Sequence, residues 1–215
     1  MIRVARIAPT ASYEPEVHLP GEAFLALNPC PTRAEFNRHD YWSAIHSEMY
    51  DAYAGICMYC ASWTPRTPSG ASLLQTSIDH FFPKGKFPLL AYRWDNFRLS
   101  RHDLNTAKGQ DYHITDPFGI RDGWYMIDFG TWRIEPSDFA PIYAVQRIRT
   151  SCVRLGLNSD AYVEERQGAA AVYVHRPADR DDLQPLYPFL VGELQRQAAG
   201  TALLHELAEI LPAPG

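Results

Sequence analysis

Two short stretches decide how this chain is read: Ser77-Ile78-Asp79-His80-Phe81-Phe82, and Arg101-His102-Asp103-Leu104-Asn105-Thr106-Ala107-Lys108. The first is β-branched and aromatic and predicts a short strand. Pro83 to Pro88 predicts a turn or loop. Arg98 to Gly109 predicts a helix that begins near Ser100 as its cap. His80 precedes Asn96 by 16 residues, and Asn96 precedes Asn105 by nine. A strand, a loop and a helix therefore carry Asp79, His80, Asn96, Asn105 and Lys108 within one short piece of chain.

Working outward, Pro9, Pro15, Pro20, Pro29 and Pro31 crowd residues 1–31. That density predicts an extended arm with little regular structure. Thr32-Arg33-Ala34-Glu35 is a capping box that starts a helix. Phe36, Tyr41, Ile45, Met49, Tyr50 and Tyr53 continue at helical spacing, with Gly55 as the stop. Residues 61–75 read as a loop. Trp124 to Ile134 reads as two short strands around Gly130. Pro141 to Leu155 reads as a helix with Ile142, Val145, Ile148 and Val153 on one side. Ala170 to His175 reads as a strand. Leu186 to Leu211 reads as one or two helices broken near Gly200. No internal repeat and no low-complexity tract is present. The division expected is an arm over 1–31, a core over 32–166 and a C-terminal helical segment over 167–215.

The 215 residues are 46% hydrophobic and 13% aromatic, enough to bury a real core, which excludes a disordered chain. No run of 18 apolar residues is present, so no membrane span and no membrane partner are expected. No long apolar run precedes Pro9, so no secretory signal is read and a cytoplasmic location is expected. The net charge is −5, which argues against a non-specific nucleic-acid coat. The charge is uneven. Phe81 to Gly109 holds Lys84, Lys86, Arg93, Arg98, Arg101 and Lys108 against Asp95 and Asp103, net +4. The rest holds 14 basic and 23 acidic residues, net −9. A basic strip on an acidic body can still hold a polyanion; read plainly, it is an ordinary solvated face.

Asp79-His80, Asn96-Phe97 and Asn105-Thr106-Ala107-Lys108 together resemble the signature of the HNH endonuclease family. A narrower likeness follows from His80-Phe81-Phe82-Pro83-Lys84, Phe87-Pro88-Leu89-Leu90-Ala91-Tyr92-Arg93-Trp94-Asp95-Asn96 and Asn105 to Gly109. These resemble HNH proteins of the Septu antiphage system and of some retrons, over about residues 41–166. The resemblance implies an α+β protein with a ββα-metal core, surrounding helices and the proline-rich arm. It implies a metal-dependent nuclease, DNA as substrate, antiphage defence, and an ATPase encoded nearby as partner. His80 would be the general base. Asp79 and Asn105 would bind Mg²⁺ or Mn²⁺, and Asn96 would hold the loop and orient the His80 ring. Lys84, Arg101 and Lys108 would contact substrate phosphates.

The residue types suit that reaction. Phosphodiester hydrolysis needs an activated water and neutralised charge on phosphorus. An ordinary histidine takes a proton near neutrality. Carboxylate and amide oxygens suit a hard divalent ion. Asp79 and His80 face opposite sides of a regular strand, so they converge only if the strand ends there. The alternative is a non-catalytic nucleic-acid-binding module, or a structural subunit of an ATPase complex.

Cys57-Met58-Tyr59-Cys60 is the one close cysteine pair, open to metal, to redox chemistry or to simple burial. Many relatives of the narrower kind carry a second pair, but Arg101 and Leu104 stand at its positions. One C-x-x-C is half of a tetrahedral site, so structural zinc is not expected. His102 and His113 lie off the expected place, and apolar packing through Leu104 would hold the helix instead. Tyr92 and Trp94 read as core residues. Leu203, Leu204, Leu207, Ile210 and Leu211 read as a core-facing stripe; that stripe and the proline-rich arm are also candidate docking elements.

Overall fold

A computed structural model describes residues 1–66 and 75–214. The chain is a mixed helix-and-sheet protein with two separate antiparallel hairpins, β1 (Thr76–His80) with β2 (Phe97–Arg101), and β3 (Tyr125–Asp128) with β4 (Arg133–Pro136). Among the described residues no helix is long and apolar enough to cross a membrane.

Residues 1–31 are not an extended arm. A π-helical turn, Glu14–His18, runs into α1, Leu19–Leu27. Pro15 sits in the first turn, where its missing N–H costs nothing. At Pro20 an α-helical register would bring the ring against the carbonyl four residues back. The chain widens instead, and the Leu19 N–H donates to the Glu14 carbonyl five residues back. The helix buries Val17, Phe24 and Leu25. Gly21 lets it lie on Tyr92: a Cβ there would stand 2.2 Å from the Tyr92 ring. Tyr13 donates its hydroxyl to the Tyr92 carbonyl at 3.0 Å and accepts the Trp94 N–H at 2.9 Å. The segment is a buttress for the loop before β2.

The capping box at Thr32 forms as expected and opens α2, Arg33–Arg38. The helix does not continue to Tyr53. It stops at His39, which stacks on Phe24 at 3.9 Å, and resumes as a 3₁₀ turn, Tyr41–Ile45, and α3, His46–Ala52. Gly55 ends this region with φ +69°, which a glycine adopts without strain. Residues 61–66 form the first part of the expected loop, and 67–74 lie outside the described residues.

β1 pairs with β2 in the register Asp79 to Arg98 and His80 to Phe97. The helix after it is α4, His102–Lys108. Ser100 is therefore a buried strand residue and not the cap. α5 is Ile142–Arg154, and its inner face is Ala144, Ile148, Ser151 and Cys152. Ile142 and Val153 face outward, because a 3.6-residue period through Ile148 leaves them off that stripe.

The expected strand over 170–175 is the end of α6, Asp160–His175. Three alanines and burial at Tyr162, Arg166, Ala169, Ala170 and Tyr173 favour helix over the local β-branched pattern. The boundary expected at 166/167 thus falls inside one helix. A short α7, Arg180–Leu183, leads to α8, Pro188–Ala198, and α9, Leu203–Ile210. These break near Gly200 as expected. Leu207 and Leu211 are buried, Leu203 and Leu204 half-buried, and Ile210 is exposed. Leu207 and Leu211 of the C-terminal stripe and Val17, Phe24 and Leu25 of the proline-rich segment pack inward, while Ile210, Leu19 and Leu27 are exposed.

Two apolar cores result. One joins the N-terminal helices to β1, β2 and Tyr92; the other joins β3, β4 and α5 to α9. The first hairpin and α4 sit between them.

Candidate active site

β1 delivers Asp79 and His80 at its last two positions. The pairing stops just beyond: the Phe81 N–H still bonds the in-register Asn96 carbonyl at 2.9 Å, but Asn96 closes the 3₁₀ turn Trp94–Asn96 and Pro83 follows. Both side chains are buried, at 3% and 7% exposure. They border a cavity of about 360 Å³ walled also by Arg33, Lys84, Asn105 and Gln110.

The His80 ring is fixed. Its Nε2 lies 2.8 Å from the Ala91 carbonyl, and the ring meets Trp42 and Phe97 edge-on at 4.7 and 5.3 Å. A carbonyl only accepts, so Nε2 carries the hydrogen and Nδ1 keeps its lone pair. Burial, reinforced by the Lys84 charge, pushes the imidazole pKa down to about 3. The ring is thus neutral across the physiological range.

Asn96 holds the loop, as expected. Its Oδ1 accepts the Phe82 N–H at 2.7 Å, and its Nδ2 donates to the Phe82 and Leu90 carbonyls, each at 3.0 Å. None of these three bonds goes to the imidazole. Asn96 fixes Leu90, one residue before the carbonyl that does bond it.

Asp79 is closed on both sides. Oδ1 accepts from the Lys108 ammonium at 3.0 Å and Oδ2 from the Tyr59 hydroxyl at 2.5 Å. Lys108 also donates to the His80 carbonyl at 2.8 Å, and its side chain is fully buried. Burial, and then the Asp79 charge, hold the Tyr59 phenol well above its ordinary pKa, so it stays a donor. Asn105, half-buried on α4, donates Nδ2 to Ser77 Oγ at 2.9 Å, which leaves its amide oxygen for the cavity.

Half of the expected basic strip is internal: Arg98, Arg101 and Lys108 are buried, Lys84 is half-buried, and Lys86 and Arg93 are exposed. Arg98 is 1% exposed and paired with Asp116 through two contacts of 2.9 and 2.8 Å. Arg101 lies at the far end of β2, bound to Glu165 at 2.8 Å and stacked on Tyr162. Lys108 is spent on Asp79. Neither Arg101 nor Lys108 is therefore placed to meet a phosphate. The net +4 of the window is a sequence sum, and partners far along the chain cancel much of it. Lys84, lying over the Trp42 ring at 4.4 Å, does wall the cavity, and Arg33 joins it from the capping box of α2. Tyr59 and Arg33 carry no sequence signal for this role: one sits inside the cysteine motif, the other reads as a capping-box filler.

Cys57 and Cys60 are buried free thiols. Burial raises the Cys57 pKa, but hydrogen bonds from Cys60 and from the Arg101 N–H, 3.3 Å away, outweigh it and bring the thiol down to about 7. Burial pushes Cys60 well up. Leu104 packs in the same core as both cysteines, so apolar contact ties α4 to their turn.

No family model, curated protein or solved structure matches this chain.

The divalent ion implied by the HNH resemblance can be tested against these donors. Asn105 offers one amide oxygen. Asp79 offers oxygens already taken by an ammonium and a phenol. Among the described residues no group of three His, Cys, Asp or Glu side chains converges as a metal site. The residues as arranged do not fit a divalent ion on Asp79.

Proposed function

We propose that this protein is an HNH-type phosphodiester hydrolase acting on nucleic acid, with DNA as its substrate. The observation that carries the reading is the tautomer of His80: Nε2–H is spent on the Ala91 carbonyl, and Nδ1 is left as the base beside the cavity. In this reading a water in the cavity loses its proton to Nδ1 as its oxygen attacks phosphorus. The new P–O bond forms as the bond to the leaving sugar oxygen breaks; the leaving oxygen takes a proton from solvent water, and Nδ1 returns its proton to solvent. Lys84 and Arg33 offset the charge growing on the phosphoryl oxygens. The Gln110 side-chain amide is available to donate to the same oxygens, and the Asn105 amide oxygen is left to accept from the attacking water. No step uses a metal.

The narrower likeness supports a setting in cytoplasmic antiphage defence beside an ATPase. Co-expression with the neighbouring gene product, followed by size exclusion, tests that part.

A second reading is a fold-keeping subunit without catalysis. The closure of Asp79 by Lys108 and Tyr59 favours it, because such a buried knot can serve stability alone. One experiment separates the two. Purified protein is incubated with single- and double-stranded DNA and with RNA, in Mg²⁺, in Mn²⁺ and in EDTA. The hydrolase reading expects cleavage by wild type that His80→Ala abolishes. No cleavage of any substrate in any arm favours the subunit.

A further inference from the structure

The Asp79 carboxylate already has a cation. We infer that the Lys108 ammonium occupies the place on Asp79 that a divalent ion would take, so that the two cations exclude each other and the wild-type protein holds a divalent ion there only weakly. The inference builds on the hydrolase reading of the same site and departs from the metal chemistry that the HNH resemblance implies.

Four observations carry it. The Lys108 Nζ is 3.0 Å from Asp79 Oδ1 and 2.8 Å from the His80 carbonyl, so it is held by two acceptors rather than by one loose ion pair. Its side chain is fully buried, so it is not a surface lysine resting there by chance. It is the last residue of α4, and Gly109 ends the helix with φ +54°, which leaves the side chain to reach over β1. The Tyr59 hydroxyl bonds the other oxygen at 2.5 Å, so both carboxylate oxygens already carry a donor and the group is held in one orientation.

Charge and space make the exclusion. Mg²⁺ approaches its oxygen ligands at about 2.0–2.1 Å and keeps several waters. An ion bound to Asp79 would stand close to the ammonium inside a poorly screened interior, where like charges repel strongly. Asp79 is 3% exposed, so only a small part of the residue is open to the cavity it borders. Lys108 is thus a positioning residue: it fixes the carboxylate and the end of β1 without touching substrate.

The test is Mn²⁺ titration of the full chain read by electron paramagnetic resonance, without nucleic acid. Wild type, Asp79→Asn, Lys108→Met and the Lys108→Met/Asp79→Asn double variant are compared. Wild type is expected to bind Mn²⁺ weakly. Lys108→Met frees the carboxylate and is expected to tighten binding by roughly tenfold or more. The double variant loses the gain, which a merely structural role for Lys108 would not produce. Lys108→Gln, which keeps hydrogen-bond donors but not the charge, replaces Lys108→Met if that variant fails to fold. Tight Mn²⁺ binding by wild type that Asp79→Asn abolishes and neither Lys108 variant strengthens would overturn the inference. The hydrolase reading is judged separately by the cleavage assay, since this titration involves no substrate.

Discussion

The imidazole of His80 is tied to the carbonyl of Ala91, eleven residues on, by a 2.8 Å contact through Nε2. That one bond selects the tautomer. It also depends on the 3₁₀ turn Pro88–Leu90 and on Asn96, which together set where the carbonyl stands.

Replacing His80 by alanine is expected to lower cleavage by ~10²-fold, the low end for a general base, because an imidazole with a pKa near 3 is a weak base at neutral pH. Nucleic-acid binding, followed by fluorescence anisotropy, should stay within a few-fold of wild type, since the phosphate-facing charges are elsewhere. Equal cleavage by wild type and variant would remove His80 from the mechanism.

The depressed pKa of His80 has two pH consequences. The kcat/KM profile of the free enzyme should show no inflection near 6.5, because the ring stays neutral until the pH approaches about 3. Stability moves the other way with acid. The unfolded histidine binds a proton near pH 6.5 and the folded one does not, so its share of stability is complete above 6.5. That share is lost as pH falls from 6.5 towards 3, by at most about 1.4 kcal/mol per pH unit. Urea denaturation of His80→Gln between pH 7 and about 4.5 should show a shallower loss than wild type. Parallel curves would mean that the ring is charged in the folded protein.

Tyr59→Phe removes one oxygen and leaves Asp79 Oδ2 buried without its donor. The expected cost is ~1–3 kcal/mol in chemical denaturation, with the m-value unchanged. A variant as stable as wild type would show that water replaces the phenol.

Arg101 and the cavity cations should part in a salt titration of DNA binding. Arg33→Ala and Lys84→Ala are each expected to lower the slope of log affinity against log salt by about 1. Arg101→Gln should leave that slope alone and instead destabilise the fold, because it strands Glu165 and the stack on Tyr162. A changed slope for Arg101→Gln alone would return that residue to the substrate surface.

What the sequence determined by itself was local. The strand carrying Asp79 and His80, the helix carrying Asn105 and Lys108, the capping box at Thr32, the second hairpin and the break near Gly200 rest on short-range signals. Those signals are period, turn residues and caps, each complete within a few residues. The loop-holding Asn96 belongs with them, since its bonds close within one loop. The rest depends on contacts between parts of the chain far apart in sequence. Pro15 and Pro20 read as breakers until a π turn and the surface of Tyr92 made a helix there worth forming. Residues 170–175 read as strand until burial along the whole of α6 outweighed local preference. The site's charges were decided last and farthest: Lys108, Arg98 and Arg101 are neutralised by Asp79, Asp116 and Glu165. A summed charge along the chain cannot show that cancellation, because Coulomb energy depends on distance in space and on burial, and both come from the fold.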